Sequence, residues 1–439
     1  MNISTTTLTP SAPSQESPPR FSSRFWRQFR LNRKAVWAVY VVAVLFGVAV
    51  FADFLASEKP LICSYNKEWS LPVLRSYGVA IGICSWSPAL QNADWQKLNY
   101  DFAIFAPIPY GSKLIAPNDR MLSPLGRQNA GWRRRHWFGT DDLGRDVLAV
   151  MIHGTRLAYA IGIFAMSIAA FIGVLLGSVA GYWHDDKLRL PRGTVFLLPI
   201  WLFLALFYGF YMRAFVLSDA FCSSLAAFAV SGVVSLLILV GILVIGLGLT
   251  NFIVPKIKIP FLGQSVAVPL DLIINRGIEI VVSIPTLFLI LAVLAVAKPS
   301  VFNVMLILGL TGWTGIARFV RAELLRIRNL AYIESARSMG YSSLRILRVH
   351  ALPNALTPVF ISIAFGVAGA IVAESFLSFL GIGVPPEVVT WGKLLALARE
   401  TPQAWWLAVF PGTAIFVTVT MFNLIGEGLT DALNPQLDR

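Results

Sequence analysis

Asn329–Pro358 reads NLAYIESARSMGYSSLRILRVHALPNALTP, a basic amphipathic stretch set between two strongly apolar runs. It is too polar to enter a bilayer and too regularly patterned to be a slack linker. Tyr332–Met339 reads as one short helix, ended by Gly340, whose freedom at positive φ suits a helix C-cap. Ser342 or Ser343 is placed to cap a second helix to about His350, and Pro353 is expected to break the chain before the next apolar run. Two short helices meeting at a glycine make a compact knob. Periodicity alone supports two uses of it equally: a docking surface, or a basic loop lying on anionic headgroups.

The rest of the chain decides which way that knob faces. Of 439 residues, 56% are hydrophobic and only 13% charged, and the mean hydropathy is +0.69. Soluble domains carry about a quarter charged residues, so this balance belongs to the membrane class. The net charge of +13 does not point to nucleic acid. Arg and Lys cluster beside the apolar runs, which is the positive-inside pattern, with anionic lipid as the partner. Cys63, Cys84 and Cys222 are too few for a disulfide scaffold, and none has metal-ligand spacing. Cys63 and Cys84 fall in one extracytoplasmic loop, where a bridge and two free thiols are both open.

In chain order, residues 1–34 form a cytoplasmic N-terminus. Its first twenty positions are rich in Ser, Thr and Pro and expected to be disordered. Residues 35–56 make an uncleaved first span, since a signal peptide would have a core of about 7–15 residues. Residues 57–156 are an extracytoplasmic loop domain. Residues 157–183 are the second span, where Gly173, Gly177 and Gly181 form a ridge that lets another helix approach closely. Residues 184–276 read as an inserted transmembrane hairpin, Gly193–Met212 and Ala220–Val254, with basic cytoplasmic flanks.

Residues 277–439 hold four more spans: Ile280–Ala297, Ser300–Ala317, Ala355–Gly383 and Trp405–Gly426. The loop at about 329–353 carries the strongest concentration of Arg and is therefore cytoplasmic. The expected fold is an all-α integral membrane protein. It is a polytopic bundle of six core transmembrane helices plus the inserted hairpin, with both termini cytoplasmic. Glu374 is the one acid well inside a late span. An intramembrane acid is costly, so it either bonds within the bundle or lines the outer path of a solute.

Catalytic signatures are missing: no G-x-x-x-x-G-K-[ST], no H-E-x-x-H and no G-x-S-x-G. The four histidines are scattered. Thr140–Asp146 (TDDLGRD) has the composition of a calcium loop but lacks alternate-position acids, and Ile152 stands where the closing Glu would be. The chain is not expected to be an enzyme or to hold a metal or cofactor.

Glu334-Ser335-Ala336, three residues, Gly340, nine residues, then His350-Ala351-Leu352-Pro353 resembles the EAA motif of the permease subunits of binding-protein-dependent ABC importers. The usual form is E-A-A-x3-G-x9-I-x-L-P. Ser335 replaces one alanine and His350 stands at the isoleucine position, a departure familiar in the dipeptide and oligopeptide branch. Other stretches resemble that branch's C-type permease. They are Phe138–Asp146 with Gly154-Thr155-Arg156, Ile284-Pro285-Thr286, Ala373–Gly383 with Pro385-Pro386 and Trp391-Gly392, and Asn423–Pro435. The resemblance covers about residues 25–56, 136–183 and 271–439, but not 57–135 or 184–270.

The resemblance implies a subunit of the bacterial inner membrane that pairs with a B-type permease, two ABC ATPase subunits and an extracytoplasmic substrate-binding protein. ATP would be bound by the partner. Tyr332–Ser343 would be the coupling helix seated on an ATPase. Its site residues are Tyr332, Glu334, Ser335, Ala336, Arg337, Gly340, Leu352 and Pro353. Glu334 and Arg337, one turn apart, would pair with each other or with the ATPase. The implied cargo is a di- or oligopeptide or a peptide-like solute, with nickel chelates as the alternative. A secondary transporter would need no cytoplasmic knob, and a mere scaffold would not explain Glu334–Pro353.

Overall fold

The computed structural model describes residues 21–433, apart from 66, 81, 87–94, 97, 127, 129–130, 184–188, 224, 255, 257–263 and 297–298. The expected disorder of residues 1–20 and the side chain of Cys222 lie outside the described residues. A helix over Phe21–Leu31 precedes α1 (Arg33–Val50), whose first turn is capped by the Asn32 side chain, an acceptor for the Ala35 amide. The outer segment then builds a small antiparallel sheet from β1 (Ile62–Tyr65), β2 (Glu68–Ser70) and β3 (Phe102–Ile104), in the order β2-β1-β3.

α2 (Val147–Ser178) ends in a π turn, Val179–Trp183. The inserted region starts with β4 (Arg189–Pro191), followed by α3 (Arg192–Leu206) and α4 (Leu225–Ile253), and closes with β5 (Ser265–Ala267), which pairs with β4. Next come α5 (Leu270–Ser283), α6 (Thr286–Val296), α7 (Val301–Ile327) and the short α8 (Ala331–Ser338). α9 (Thr357–Phe379), α10 (Trp391–Glu400) and α11 (Trp406–Leu433) complete the chain. Among the described residues, seven helices are long and apolar enough to cross a membrane, and the broken pair α5–α6 makes an eighth if it counts as one crossing. The chain is an all-α polytopic membrane protein.

Several boundaries differ from the hydropathy reading. The first span ends at Val50, with a separate turn of helix at Ala52–Leu55. α2 starts ten residues before Leu157, and α7 runs ten residues past Ala317. Helical hydrogen bonds propagate through polar residues that hydropathy excludes, and nothing there breaks them. Ile280–Ala297 is not one straight span. It falls into α5 and α6 at Ile284-Pro285, because proline lacks an N–H and disfavours helical dihedrals in the residue before it. Pro353 does not break its helix. It lies inside the short helix Leu352–Ala355, directly after a π turn at Ile346–Ala351, and the break comes at Leu356. A π turn shifts the hydrogen-bond register by one residue, which accommodates a missing donor.

The contacts divide the chain into two compact units: Met1–Gly173, Ile284–Ile316 and Pro353–Arg439 form one, Val174–Ser283 and Ala317–Leu352 the other. The first has a core where Ile161 and Ala165 of α2, Ile290 and Leu294 of α6, Val304 and Ile307 of α7, and Leu377 of α9 meet. In the same unit α11 packs against α1, α9 and α10. In the second, α3 lies along α4, and the Trp201 indole donates to Thr250 Oγ1 at 2.9 Å. Also within it, α5 packs against the π turn that ends α2.

Candidate functional site

The knob begins where α7 runs out at Ile327 and Leu330 takes an extended conformation before α8. Ile333 and Ala336, one turn apart, are buried, while Tyr332, Glu334, Ser335 and Arg337 are exposed. α8 thus puts a narrow apolar edge on the π turn Ile346–Ala351, where Ile346, Leu347 and Ala351 are buried. Its other face is left to solvent. The helix ends as a Schellman motif: the Tyr341 amide donates to Ala336 O at 3.2 Å and the Gly340 amide to Arg337 O at 2.9 Å. Gly340 has φ +79°, the left-handed region where a Cβ is strained. Ser342 caps the next turn, its hydroxyl accepting from the Arg345 amide.

Open space surrounds a Cβ built at Gly340, with no atom within 4 Å. The restriction there is conformational, and a side chain would enter the outward surface instead of clashing inside the knob. His350, the departure from the usual motif, lies parallel to Tyr341 with ring centroids 6.1 Å apart. The Arg345 guanidinium covers the same Tyr341 ring at 4.7 Å. Leu352 is half-buried and Pro353 exposed.

Glu334 and Arg337 form no ion pair with each other among the described residues. Arg337 and Ser343 lie near the Tyr182 hydroxyl, on the π turn that ends α2. Of the two expected pairings, the one between Glu334 and Arg337 is not formed here, and both side chains lie on the exposed face.

The glycine ridge meets α7. In the first unit, a Cβ at Gly173 would lie 2.7 Å from Ile316 Cβ. In the second, a Cβ at Gly177 would lie 2.6 Å from Ala317 O, and one at Gly181 2.8 Å from Arg321 O. Only hydrogen fits at such distances. Arg321 is also the partner of Asp271 in α5: Nη2 donates to Oδ2 at 2.6 Å and Nε to Oδ1. Asn275 donates to the same carboxylate at 2.8 Å. The sequence reading missed this pair and Tyr182. A lone acid at the edge of an apolar run signals that a partner exists, but no spacing names it.

Glu374 is buried in α9, 1% exposed. Ser378 Oγ donates to its Oε1 at 2.7 Å and Ser375 Oγ to Oε2 at 3.4 Å, and Thr390, the N-cap of α10, is a third partner. Next to Thr390, the Trp391 indole donates to Met151 O at 3.1 Å. The carboxyl thus sits under a folded outer loop. In the first turn of α10, Lys393 has its pKa lowered by burial and then by the nearby Arg145 charge.

Thr140–Asp146 is a structural turn. Asp141 accepts from the Leu143 and Arg145 amides and from Arg145 Nε at 2.6 Å. Asp146 accepts from the Ala149 amide at the start of α2 and meets His136 Nδ1 at 2.8 Å. No group of three potential metal ligands occurs among the described residues. Cys63 and Cys84 are unbridged, and the buried Cys63 thiol contacts Ser70 Oγ at 3.1 Å.

Two family models match. The model for the binding-protein-dependent transport system inner membrane component covers residues 261–439, and that for the N-terminal TM domain of oligopeptide transport permease C covers residues 20–68. The chain is 28% identical over 416 residues to the inner membrane ABC transporter permease protein YejE of Escherichia coli K12, across 93% of this chain and 96% of that one. It is 25% identical over 437 residues to the peptidoglycan transport system permease protein YejE of Agrobacterium fabrum, across 94% and 93%. It is 28% identical over 327 residues to the dipeptide transport system permease protein DppC of Bacillus subtilis, across 74% and 76%.

Proposed function

This chain belongs to the inner membrane components of binding-protein-dependent transport systems, in the oligopeptide permease C branch, and from that premise we propose that it forms one half of a peptide importer's pore. The other half is a B-type permease. Two ATPase subunits bind and hydrolyse ATP on the cytoplasmic side, and a substrate-binding protein delivers cargo outside. Peptides are the cargo in this reading because two relatives that cover most of the chain are named for peptidoglycan and dipeptide transport.

The observation that carries this reading is the two-faced α8. Its Ile333–Ala336 edge is seated on Ile346–Ala351, its exposed face holds Tyr332, Glu334 and Ser335, and its end is locked by the Gly340 turn. A helix held this way moves as a rigid body, which is what a lever between an ATPase and a membrane domain requires. The chain runs directly from α7 into α8, and through Ile346–Ala355 into α9. A push on the exposed face therefore passes to two membrane helices. ATP closure on the ATPase side is the power stroke, and this chain contributes the socket, the linkage and its share of the pore wall.

The reading is tested by reconstituting the complex in vesicles and following labelled di- and oligopeptides with ATP, with and without the binding protein. Uptake that needs both ATP and the binding protein is the expected result. ATP-independent uptake, or no peptide uptake with an intact ATPase, overturns it.

A further inference from the structure

The outer segment between α1 and α2 encloses a cavity of about 860 Å³ that the transport reading does not use. That volume is within the range of about 300–1,000 Å³ common for pockets that hold drug-sized ligands. One wall is β3 and the residues after it, notably Ile104, Pro107 and Pro109, and the facing wall carries Trp132, Arg134 and Trp137. The two indoles are 72% and 51% exposed, a large amount of aromatic surface to leave in water beside a cavity.

Three features bear on what fits. β3 is the outermost strand of its sheet and is paired only with β1 among the described residues. Such an edge presents unpaired N–H and C=O groups that can accept another extended chain. Arg134 has a fixed main chain, since its amide donates to Gly131 O at 2.8 Å and its carbonyl accepts from the Tyr110 hydroxyl at 2.6 Å. Its guanidinium makes no ion pair with an acidic side chain among the described residues. Gln96 Nε2 donates to Pro109 O at 2.8 Å, which ties the β3 side of the cavity together.

A strand that pairs on only one side among the described residues, two indoles and the Arg134 cation match the parts of a peptide end: backbone, apolar side chains and terminal carboxylate. A lipid acyl chain would satisfy the indoles but not the strand edge. We propose that this cavity binds a short extended peptide, its backbone laid along β3, its apolar side chains against Trp132 and Trp137 and its free carboxylate on Arg134. The inference rests on the peptide-transport reading, and makes the outer segment a receiving site in the permease itself, separate from the binding protein.

The test uses the full chain in nanodiscs without any binding protein. The probe is the tripeptide Phe-Val-Phe with an N-terminal fluorophore, as the free acid and as the C-terminal amide, and the readout is anisotropy. The free acid is expected to bind saturably and the amide at least about tenfold more weakly, the loss of one charge-assisted contact. Arg134→Ala should abolish the difference between acid and amide, and Trp132→Ala, at an exposed position, should weaken both. Equal binding of acid and amide, an unchanged response in both variants, or no binding at all overturns the site. A complex that imports peptides with its binding protein yet fails this assay refutes the cavity alone. A complex that imports no peptide refutes the transport reading instead.

Discussion

Arg321 of α7 holds Asp271 of α5 in a two-pronged ion pair, Nη2 to Oδ2 at 2.6 Å and Nε to Oδ1. Gly181 approaches the main chain of the same arginine, so three helices are tied together at one residue, ten positions before α8 begins at Ala331. The Asp271 side chain is 8% exposed and that of Arg321 29%. Breaking a fully buried pair costs about 3–5 kcal/mol, and water at the arginine reduces that figure here. Arg321→Ala is expected to lower the melting temperature of the purified subunit and to reduce uptake per ATP hydrolysed. Asp271→Asn with Arg321→Ala should cost less than the two single changes summed. Additive losses would show that the pair is not a unit.

The glycine ridge gives a sharper contrast. At Gly177 a Cβ would fall 2.6 Å from a main-chain oxygen, whereas at Gly241 nothing lies within 4 Å. Gly177→Val should therefore destabilise the folded subunit by several kcal/mol through forced helix separation, and Gly241→Val should be close to neutral. Thermal unfolding in one detergent compares them directly. Equal stability of the two variants would contradict the close packing on α7.

At Gly340 the strain and the surface effect separate. Left-handed dihedrals cost a residue with a Cβ about 1–2 kcal/mol, and Asn tolerates them best. Gly340→Asn should insert, fold and retain most ATPase co-purification. Gly340→Asp should insert as well, yet place a charge on the outward face and abolish uptake, as should Glu334→Lys. Normal ATPase co-purification with Gly340→Asp would argue against α8 as the docking element.

Glu374 meets Ser375, Ser378 and Thr390 without a basic partner among these contacts. A neutral amide can keep part of such a network, so Glu374→Gln should assemble and transport nearly as well as the unmodified chain. Glu374→Ala leaves buried hydroxyls unpaired, at about 1–3 kcal/mol each, and should lower thermal stability. If Glu374→Gln assembles normally but loses uptake, the carboxylate belongs to the peptide path.

What the amino-acid order determined by itself is local. Twenty-residue apolar runs dictate spanning helices because hydrocarbon leaves the backbone no other partner. The end of α8 follows from Gly340 and Ser342 alone, since caps are closed by atoms within six residues. Even the packing of the Gly173–Gly181 ridge was legible as a property, though not its partner. Tertiary structure decided what depends on residues distant in the chain. Asp271 and Arg321 are 50 positions apart, and Trp391 reaches a carbonyl 240 positions away. The outer cavity arises only when β3 and the Trp132–Arg134 turn face each other. Periodicity and capping act over one or two turns, whereas burial and ion pairing depend on which helices become neighbours, and that is settled only when the whole bundle closes.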